Sequence, residues 1–154
     1  MSINLKKLLI SLALPLAVGG LSAVFTMGSM KEFEALNKPP LSPSGWLFPV
    51  VWSILFILMG ISTYIITDRK QRNEKALFFY YLQLVFNFLW SIIFFNNQAY
   101  LFAFVWLVIL LGLVIVTAIE YYKINKTAGL LFIPYILWII FAGYLNYSIY
   151  ILNR

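Results

Sequence analysis

PYILWIIFAGYLNY, residues 134–147, carries no charge, yet it contains a proline, an indole and an amide. In a helix these groups lie within about four turns of one another, and the proline distorts the backbone. A bilayer accepts the stretch because it is uncharged, but a simple membrane anchor has no need of an amide or a deep indole. The stretch therefore indicates a transmembrane helix that carries a binding surface.

The composition of the whole chain is that of a polytopic membrane protein. Of its 154 residues, 63% are hydrophobic and 10% are charged, whereas soluble domains are about 25% charged. The formal net charge of +6 is spread over loops and termini, which indicates contact with anionic membrane lipid. No basic cluster is present, so nucleic acid is not an expected partner.

The chemistry available to the chain is narrow. It has no cysteine and no histidine, which excludes thiol nucleophiles, histidine bases and the usual zinc or haem-iron ligands. We therefore expect no metal site and no required cofactor. The 14 Phe, 10 Tyr and 5 Trp suit a flat conjugated ligand, although lipid-facing Phe and interfacial Tyr explain much of the same excess.

Five uncharged apolar runs predict the fold. Each is close to the roughly 20 residues that a membrane-spanning helix needs, and none alternates as a barrel strand does. The chain 1–154 is therefore predicted to be all-α, a single domain formed by a bundle of five transmembrane helices at 8–27, 46–67, 76–95, 99–119 and 128–152. A signal peptide is the alternative for the first run, whose Ala13, Ala17 and Gly20 share one face and favour helix packing.

The loops predict how the chain is oriented in the membrane, and one of them is a candidate lid over a cavity. With the N-terminus in the cytoplasm and the C-terminus outside, the basic residues concentrate inside. The inner side then has Lys6, Lys7, Arg69, Lys70, Arg72, Lys75, Lys123 and Lys126, and the outer side has Lys31, Lys38 and Arg154. The long loop 28–45 contains Pro39, Pro40 and Pro43, which stiffen it and block helix. It is either a lid over a cavity or a connector.

Unusual residues lie on one face of each of three predicted spans. These faces consist of Phe48, Trp52, Leu55 and Met59, then Gln83, Asn87 and Trp90, and finally Tyr135, Trp138, Ala142 and Leu145 with Asn146 adjacent. Buried amides need hydrogen bonds. Contact between helices is the favoured role of Gln83 and the alternative role of Asn87, as close packing is the alternative role of Ala142. Trp46 stands at the edge of its span and is mainly an interfacial anchor.

A depth count places several of these side chains in one layer. At about 1.5 Å per residue, Trp52 lies roughly 9 Å below the outer edge, and Asn87, Trp90 and Asn146 fall near that level. The same count places Trp138 deeper, near the midplane. No span contains Asp, Glu, Lys or Arg, which argues against proton pumps, voltage sensors and ion-coupled carriers.

At these residues the chain resembles the TspO/MBR family of tryptophan-rich sensory proteins, as a bacterial-type member. The resemblance rests on ordered motifs along nearly the whole chain: LNKP at 36–39, Trp46, Phe48, Trp52, Met59, Gln83, Asn87, Trp90, Pro134, Trp138, Ala142 and LNY at 145–147. It departs from the family at Glu32 and Phe33, where Trp-Tyr is usual, and at Tyr150 and Ile151, where the sterol motif is degraded. Cholesterol is therefore not the expected ligand.

The resemblance implies a five-helix bundle, commonly a homodimer, with a pocket under the first long loop. It also implies binding of porphyrins and of isoquinoline or benzodiazepine-type drugs, with Trp52 and Trp138 as pocket indoles, Asn87 as a polar contact and Ala142 as a wall. Some bacterial members are similar in promoting light-dependent breakdown of protoporphyrin IX. The cell membrane of a bacterium is the expected location.

Together, these arguments predict a membrane receptor for protoporphyrin IX and similar hydrophobic ligands. Its expected partners are the porphyrin, membrane lipid and a second copy of the chain, and Trp52 and Trp138 are the candidates for light- and oxygen-dependent redox chemistry. The alternatives are a non-catalytic sensor or scavenger and a transporter of amphiphiles. The predicted ligand contacts are Trp46, Phe48, Trp52, Leu55, Asn87, Trp90, Tyr135, Trp138, Ala142, Leu145 and Asn146.

Overall fold

Helices account for most of the chain in a computed structural model that describes residues 2–71 and 73–154. Arg72, which the predicted topology assigns to the inner side, lies outside the described residues. The α-helices are α1 (Leu5–Thr26), α2 (Met30–Glu34), α3 (Leu47–Thr67), α4 (Glu74–Ser91), α5 (Tyr100–Ile124), α6 (Lys126–Leu130) and α7 (Ile133–Leu152). A 3₁₀ turn at Met27–Ser29 and a π-helical turn at Ile92–Asn96 extend α1 and α4.

Five helical segments in the described ranges are long and apolar enough to cross a membrane. They are Leu5–Glu34, Leu47–Thr67, Glu74–Asn96, Tyr100–Ile124 and Lys126–Leu152. The predicted all-α bundle of five transmembrane helices is thereby confirmed. The long connection is the segment 27–46 between α1 and α3. Below, the loop end is the end of the bundle at which this connection lies, and the far end is the opposite one.

Pro134 breaks the last apolar run, which was predicted as one bent helix. Residues 131–132 separate α6 from α7, and the proline lies in the first turn of α7, where its missing N–H leaves no bond unmade. Asn125 caps α6 by accepting a hydrogen bond from the backbone N–H of Ala128 at 3.0 Å. The run is therefore two helices joined by a turn.

Two further helix ends differ from the sequence prediction for physical reasons. The fourth helix continues to Ile124 rather than 119, because Glu120 on its last turn pairs with Lys123 at 2.8 Å and with Lys75 of α4 at 3.2 Å. The long connection was predicted to lack helix, but its first part is helical from Met27 to Glu34. Its prolines begin only at Pro39, so they block helix only in the second part.

Glycines set the contact between α1 and α3. A Cβ built on Gly60 would stand 2.8 Å from the backbone Cα of Leu12, and one on Gly19 would stand 2.6 Å from the ring of Phe56. The predicted packing face of Ala13, Ala17 and Gly20 is instead exposed, because α1 meets α3 along the other side of the helix. Close backbone approach at Gly19 and Gly60 thus joins the first two spans.

The remaining spans complete a ring around the interior. Besides pairing with α3, α1 contacts α4; α4 packs along α5, and α5 along α7. The short α6 fits between α5 and α3. The ring closes where α7 faces α3, and there the two helices meet mainly through side chains, as in the ring contact between Phe48 and Trp138.

We expect Gly60→Ala to lower the thermal stability of the purified protein, because the added methyl group meets main-chain atoms of α1 that cannot move aside. Overpacking of this kind costs about 1–3 kcal/mol, which differential scanning fluorimetry in detergent detects as a lower Tm. Gly112→Ala is the control, since a Cβ there meets nothing within 4 Å. Equal Tm values for both variants would contradict this account of the contact between α1 and α3.

Candidate functional site

Seven aromatic rings meet in the half of the bundle nearest the loop end. We call them the aromatic cluster: Phe33, Phe48, Trp52, Trp90, Phe94, Phe95 and Trp138. Phe33, at the start of the long connection, lies against Phe95 at 5.2 Å and Phe48 at 6.3 Å between ring centroids. Phe48 in turn lies 6.0 Å from Trp138. The cluster therefore links the connection, α3, α4 and α7.

Trp52 occupies the centre of the arrangement. Its ring stacks on Phe56 of the same helix at 5.6 Å, and it lies 6.4 Å from Trp90 and 6.1 Å from the ring of Tyr135. These separations are in the range in which aromatic pairs attract each other beyond simple burial. Trp52 thus joins α3 to both α4 and α7 through ring contacts.

A buried hydrogen-bond chain holds α4 and α7 together. The side chain of Asn87 donates to the Tyr135 hydroxyl at 2.8 Å, and this hydroxyl donates to the side-chain oxygen of Gln83 at 2.9 Å. All three residues are buried, so each bond satisfies a group that hydrocarbon could not. Gln83 therefore has the helix-joining role that the sequence analysis favours for it.

A second polar link lies closer to the loop end. The indole N–H of Trp90 donates to the side-chain oxygen of Asn146 at 3.1 Å, and the Asn146 amide donates to the backbone carbonyl of Tyr100 at 2.8 Å. One amide thus ties α4, α5 and α7 to each other. The bond also fixes the plane of the Trp90 indole, which stacks on Phe94 at 5.4 Å.

The structure brings together most of the predicted site residues. Phe48, Trp52, Trp90 and Trp138 are in the cluster. Tyr135 lies against Trp52 and bonds to Asn87, and Asn146 bonds to Trp90. Leu55, Ala142 and Leu145 are buried as well. Trp46 does not join them. Its side chain is 69% exposed at the start of α3, as expected of an interfacial anchor.

The Trp138 ring makes a contact that the depth count did not indicate. It lies 6.0 Å from the ring of Phe48, in the first turn of α3. The loop-end half of α7 runs beside the long connection. There the Tyr144 hydroxyl donates to the Pro40 carbonyl at 2.9 Å, and the Asn153 amide donates to the Asn37 carbonyl at 2.9 Å.

These same bonds hold the long connection over the cluster. The backbone N–H of Asn37 also donates to the Asn153 side chain at 2.9 Å, which makes the pairing reciprocal. The ammonium group of Lys38 lies 4.8 Å from the centre of the Phe33 ring, a favourable cation–π distance. The connection is thus attached both to α7 and to the aromatic cluster, an arrangement that suits a lid.

Sequence reasoning missed three members of the cluster. Phe94 and Phe95 are neighbours in the chain, so a regular helix would turn them about 100° apart, but the π-helical turn at Ile92–Asn96 brings both rings to Phe33. Phe33 itself lies in the short helix α2, within the stretch that the sequence indicates as a loop, and has no periodic signal. Its position at the family's Trp-Tyr pair is the one feature that could have indicated it.

The chemistry of the site is limited to indole, phenol and amide groups. Within the described residues no group of three or more His, Cys, Asp or Glu side chains could hold a metal ion. The indole nitrogen of Trp138 is buried and has no hydrogen-bond partner among residues 2–71 and 73–154. It can therefore donate to a ligand. Such a site can bind a flat apolar molecule by stacking and with few hydrogen bonds.

Comparison with known proteins agrees with the predicted resemblance. A model of the TspO/MBR family matches residues 11–152. The chain is 41% identical over 154 residues to the tryptophan-rich protein TspO of Archaeoglobus fulgidus, covering 97% of this chain and 99% of that protein. It is 32% identical to the tryptophan-rich sensory protein of Cereibacter sphaeroides (79% and 76% covered) and 32% identical to the translocator protein of Bos taurus (89% and 84% covered).

We expect Tyr135→Phe to destabilise the bundle, because it removes the hydroxyl that bridges Asn87 and Gln83 and leaves two buried amides without their partner. The cost is about 1–2 kcal/mol, measured as a lower midpoint of unfolding when SDS is added to protein in mild detergent. Tyr147→Phe on the exposed side of the same helix is the control. An unchanged midpoint for Tyr135→Phe would show that the bridge does not hold α4 to α7.

Proposed function

Because the chain belongs to the TspO/MBR family, we propose that this integral membrane protein is a receptor for porphyrins, protoporphyrin IX above all, and for similar flat hydrophobic ligands. One observation carries the proposal: indoles from three helices, Trp52, Trp90 and Trp138, belong to one cluster of touching rings. Large aromatic surfaces that converge at one level of a bundle suit a planar conjugated guest.

The polar groups around the cluster support the same ligand class. Of the three indole nitrogens, that of Trp90 already donates to Asn146, whereas that of Trp138 is buried and unpaired. A free-base porphyrin offers two imine nitrogens and its carboxylates as acceptors on a largely apolar body. The site therefore matches such a molecule in shape and in its low demand for hydrogen bonds.

Light- and oxygen-dependent breakdown of the porphyrin is the reaction that we propose for this site. An excited porphyrin takes one electron from a touching indole, Trp52 or Trp138, which gives a porphyrin radical anion and an indole radical cation. Dioxygen, the oxidant, then adds to the porphyrin radical anion, and the adduct returns one electron to the indole radical cation, which restores the tryptophan. The O–O bond of the adduct and the C–C bond that it bridges break to give two carbonyl groups, so the net reaction is the addition of O2 to the porphyrin. Because no step requires a side-chain acid or base, the residues of the cluster are sufficient for the electron transfer.

Two other functions, those of a sensor or scavenger and of a transporter, are each favoured by one observation. A non-catalytic sensor or scavenger would use the same rings without electron transfer, and one relative bears the name tryptophan-rich sensory protein. Transport of amphiphiles agrees with the name translocator protein of another relative. Transport is disfavoured because the predicted spans have no charged residue for a coupling ion and no internal repeat.

We further propose a homodimer in the cell membrane of a bacterium, with the N-terminus in the cytoplasm and the C-terminus outside. The charges of the described residues support this orientation. The far end of the bundle carries Lys6, Lys7, Arg69, Lys70, Lys75, Lys123 and Lys126, whereas the loop end carries Lys31, Lys38 and Arg154. Basic residues favour the cytoplasmic side.

We expect Trp52→Phe and Trp138→Phe each to weaken protoporphyrin IX binding by about 2- to 10-fold, since each substitution removes part of the stacking surface, worth about 0.5–1.5 kcal/mol. Quenching of the remaining tryptophan fluorescence during a porphyrin titration measures the affinity. Trp46→Phe is the matched control, because this indole is exposed and lies apart from the cluster. Equal losses in all three variants would place the ligand elsewhere.

Illumination of the bound porphyrin distinguishes a catalytic function from simple binding. With bound protoporphyrin IX in air, we expect the Soret band to fade faster with the native protein than with a Trp52→Phe/Trp138→Phe variant saturated with the porphyrin, because phenylalanine is a far poorer electron donor than indole. Removal of oxygen should slow the fading. Identical rates for the two saturated proteins would reject the redox role and favour the sensor or scavenger.

A further inference from the structure

Different pairs of helices in the bundle are held together with very different strength, some around the ring and one across its interior. Gly19 and Gly60 bring the backbones of α1 and α3 into contact, and α4 is tied to α7 by the bonds of Tyr135 and Trp90. The contact between α3 and α7 has neither feature. The described residues form no hydrogen bond between these two helices, and they touch mainly through side chains such as Phe48 and Trp138.

An apolar groove runs along this contact on the lipid-facing surface. We call it the α3–α7 groove; it has a volume of about 410 Å³ and is lined by Val51, Ile54, Leu55, Pro134, Leu137, Trp138 and Phe141. Only Trp138 among these side chains carries a polar atom. Trp138 also belongs to the aromatic cluster, so the groove and the cluster share this side chain.

The two helices are attached to the rest of the bundle in ways that leave their loop-end halves free to separate. Near the far end, the Ser62 hydroxyl of α3 donates to the Ala128 carbonyl at 2.7 Å, and Thr63 shares a hydrogen bond with the Tyr121 hydroxyl at 3.0 Å. No comparable bond joins the described loop-end half of α3 to α7. The loop-end half of α3 can therefore move away from α7, whose own hydrogen bonds hold it to α4 and α5.

We propose that the α3–α7 groove is the entrance through which a flat hydrophobic ligand dissolved in the bilayer reaches the aromatic cluster. The proposal rests on the porphyrin-receptor function above and adds the route of entry. A ligand in the groove meets the Trp138 ring first, and the buried, unpaired N–H of this indole becomes available to a ligand acceptor when the ring rotates. Rotation of this indole and separation of α3 from α7 then open the way to Trp52.

The alternative route, under the long connection, is less favourable. The connection is held by the reciprocal bonds of Asn37 and Asn153 and by the bond between Tyr144 and Pro40. Entry from above would require these bonds to break and an apolar ligand to leave the bilayer for water first. Entry through the α3–α7 groove requires only apolar contacts to part, and those contacts are exchanged for ligand and lipid contacts.

Reversible cross-links across each route test the proposal directly. The chain has no cysteine, so a pair introduced at chosen positions reacts alone. Ile54→Cys/Leu137→Cys spans the α3–α7 groove, and both side chains are exposed, at 53% and 62%. Val108→Cys/Ile140→Cys spans a second apolar groove, between α5 and α7, and is the matched control.

The measurement is the rate of tryptophan quenching when protoporphyrin IX is added to proteoliposomes, with a short bis-methanethiosulfonate as the cross-linker. We expect the cross-link across the α3–α7 groove to slow association about 10-fold or more, with recovery when reductant cleaves it. The control cross-link between α5 and α7 should leave the rate unchanged. A rate unaffected by the first cross-link, or slowed equally by both, would overturn the proposal.

A third pair distinguishes the two routes. Asn37→Cys/Asn153→Cys fixes the long connection to α7, and we expect this cross-link to leave the association rate unchanged. Slowing by this pair alone would show entry under the connection instead. Porphyrin bound before the α3–α7 cross-link is formed should dissociate more slowly by a similar factor, which a merely distorted site would not show.

A single substitution provides a test that needs no cross-link. Leu137→Ala widens the entrance at an exposed position and should raise the association rate several-fold without weakening equilibrium binding, whereas Ile140→Ala, which lines the groove between α5 and α7 instead, should not. Equal rates for these two variants would contradict the proposal. If the native protein shows no saturable quenching at all, the receptor function fails instead, and the two failures are thus distinguishable.

Discussion

The hydroxyl of Tyr135, buried between two amides, is the interaction on which the rest of the site depends. It accepts from Asn87 and donates to Gln83, and in hydrocarbon none of these three groups could find water as a substitute. The bond therefore fixes the rotation of α4 relative to α7. That rotation places Trp90 of α4 beside Asn146 of α7, and it directs Trp138 of α7 toward Phe48 of α3.

The bundle combines firmly held contacts with one that is held loosely. Glycine packing joins α1 to α3, and buried hydrogen bonds join α4 to α7, so these pairs form a stable frame. The third contact, between α3 and α7, consists of apolar and aromatic side chains next to the lipid. A receptor for ligands that dissolve in the membrane needs both features, because the site must keep its shape and yet admit a large flat molecule.

The sequence predicted the spans and their inner faces because hydrophobic length and a period of 3.6 residues determine both. It therefore indicated Trp52, Asn87, Trp90 and Asn146 correctly as neighbours at one level. It could not predict the π-helical turn at Ile92–Asn96 or the position of Phe33, since both depend on tertiary packing.

Fluorine NMR of protein labelled with 5-fluorotryptophan tests the central claim most directly, since the chain has five tryptophans and each gives one signal. During titration with protoporphyrin IX, our account predicts that the signals of Trp52, Trp90 and Trp138 shift together and saturate at one equivalent, while those of Trp46 and Trp106 stay in place. Shifts confined to Trp46 or Trp106, or no saturable shift in the three cluster indoles, would contradict it.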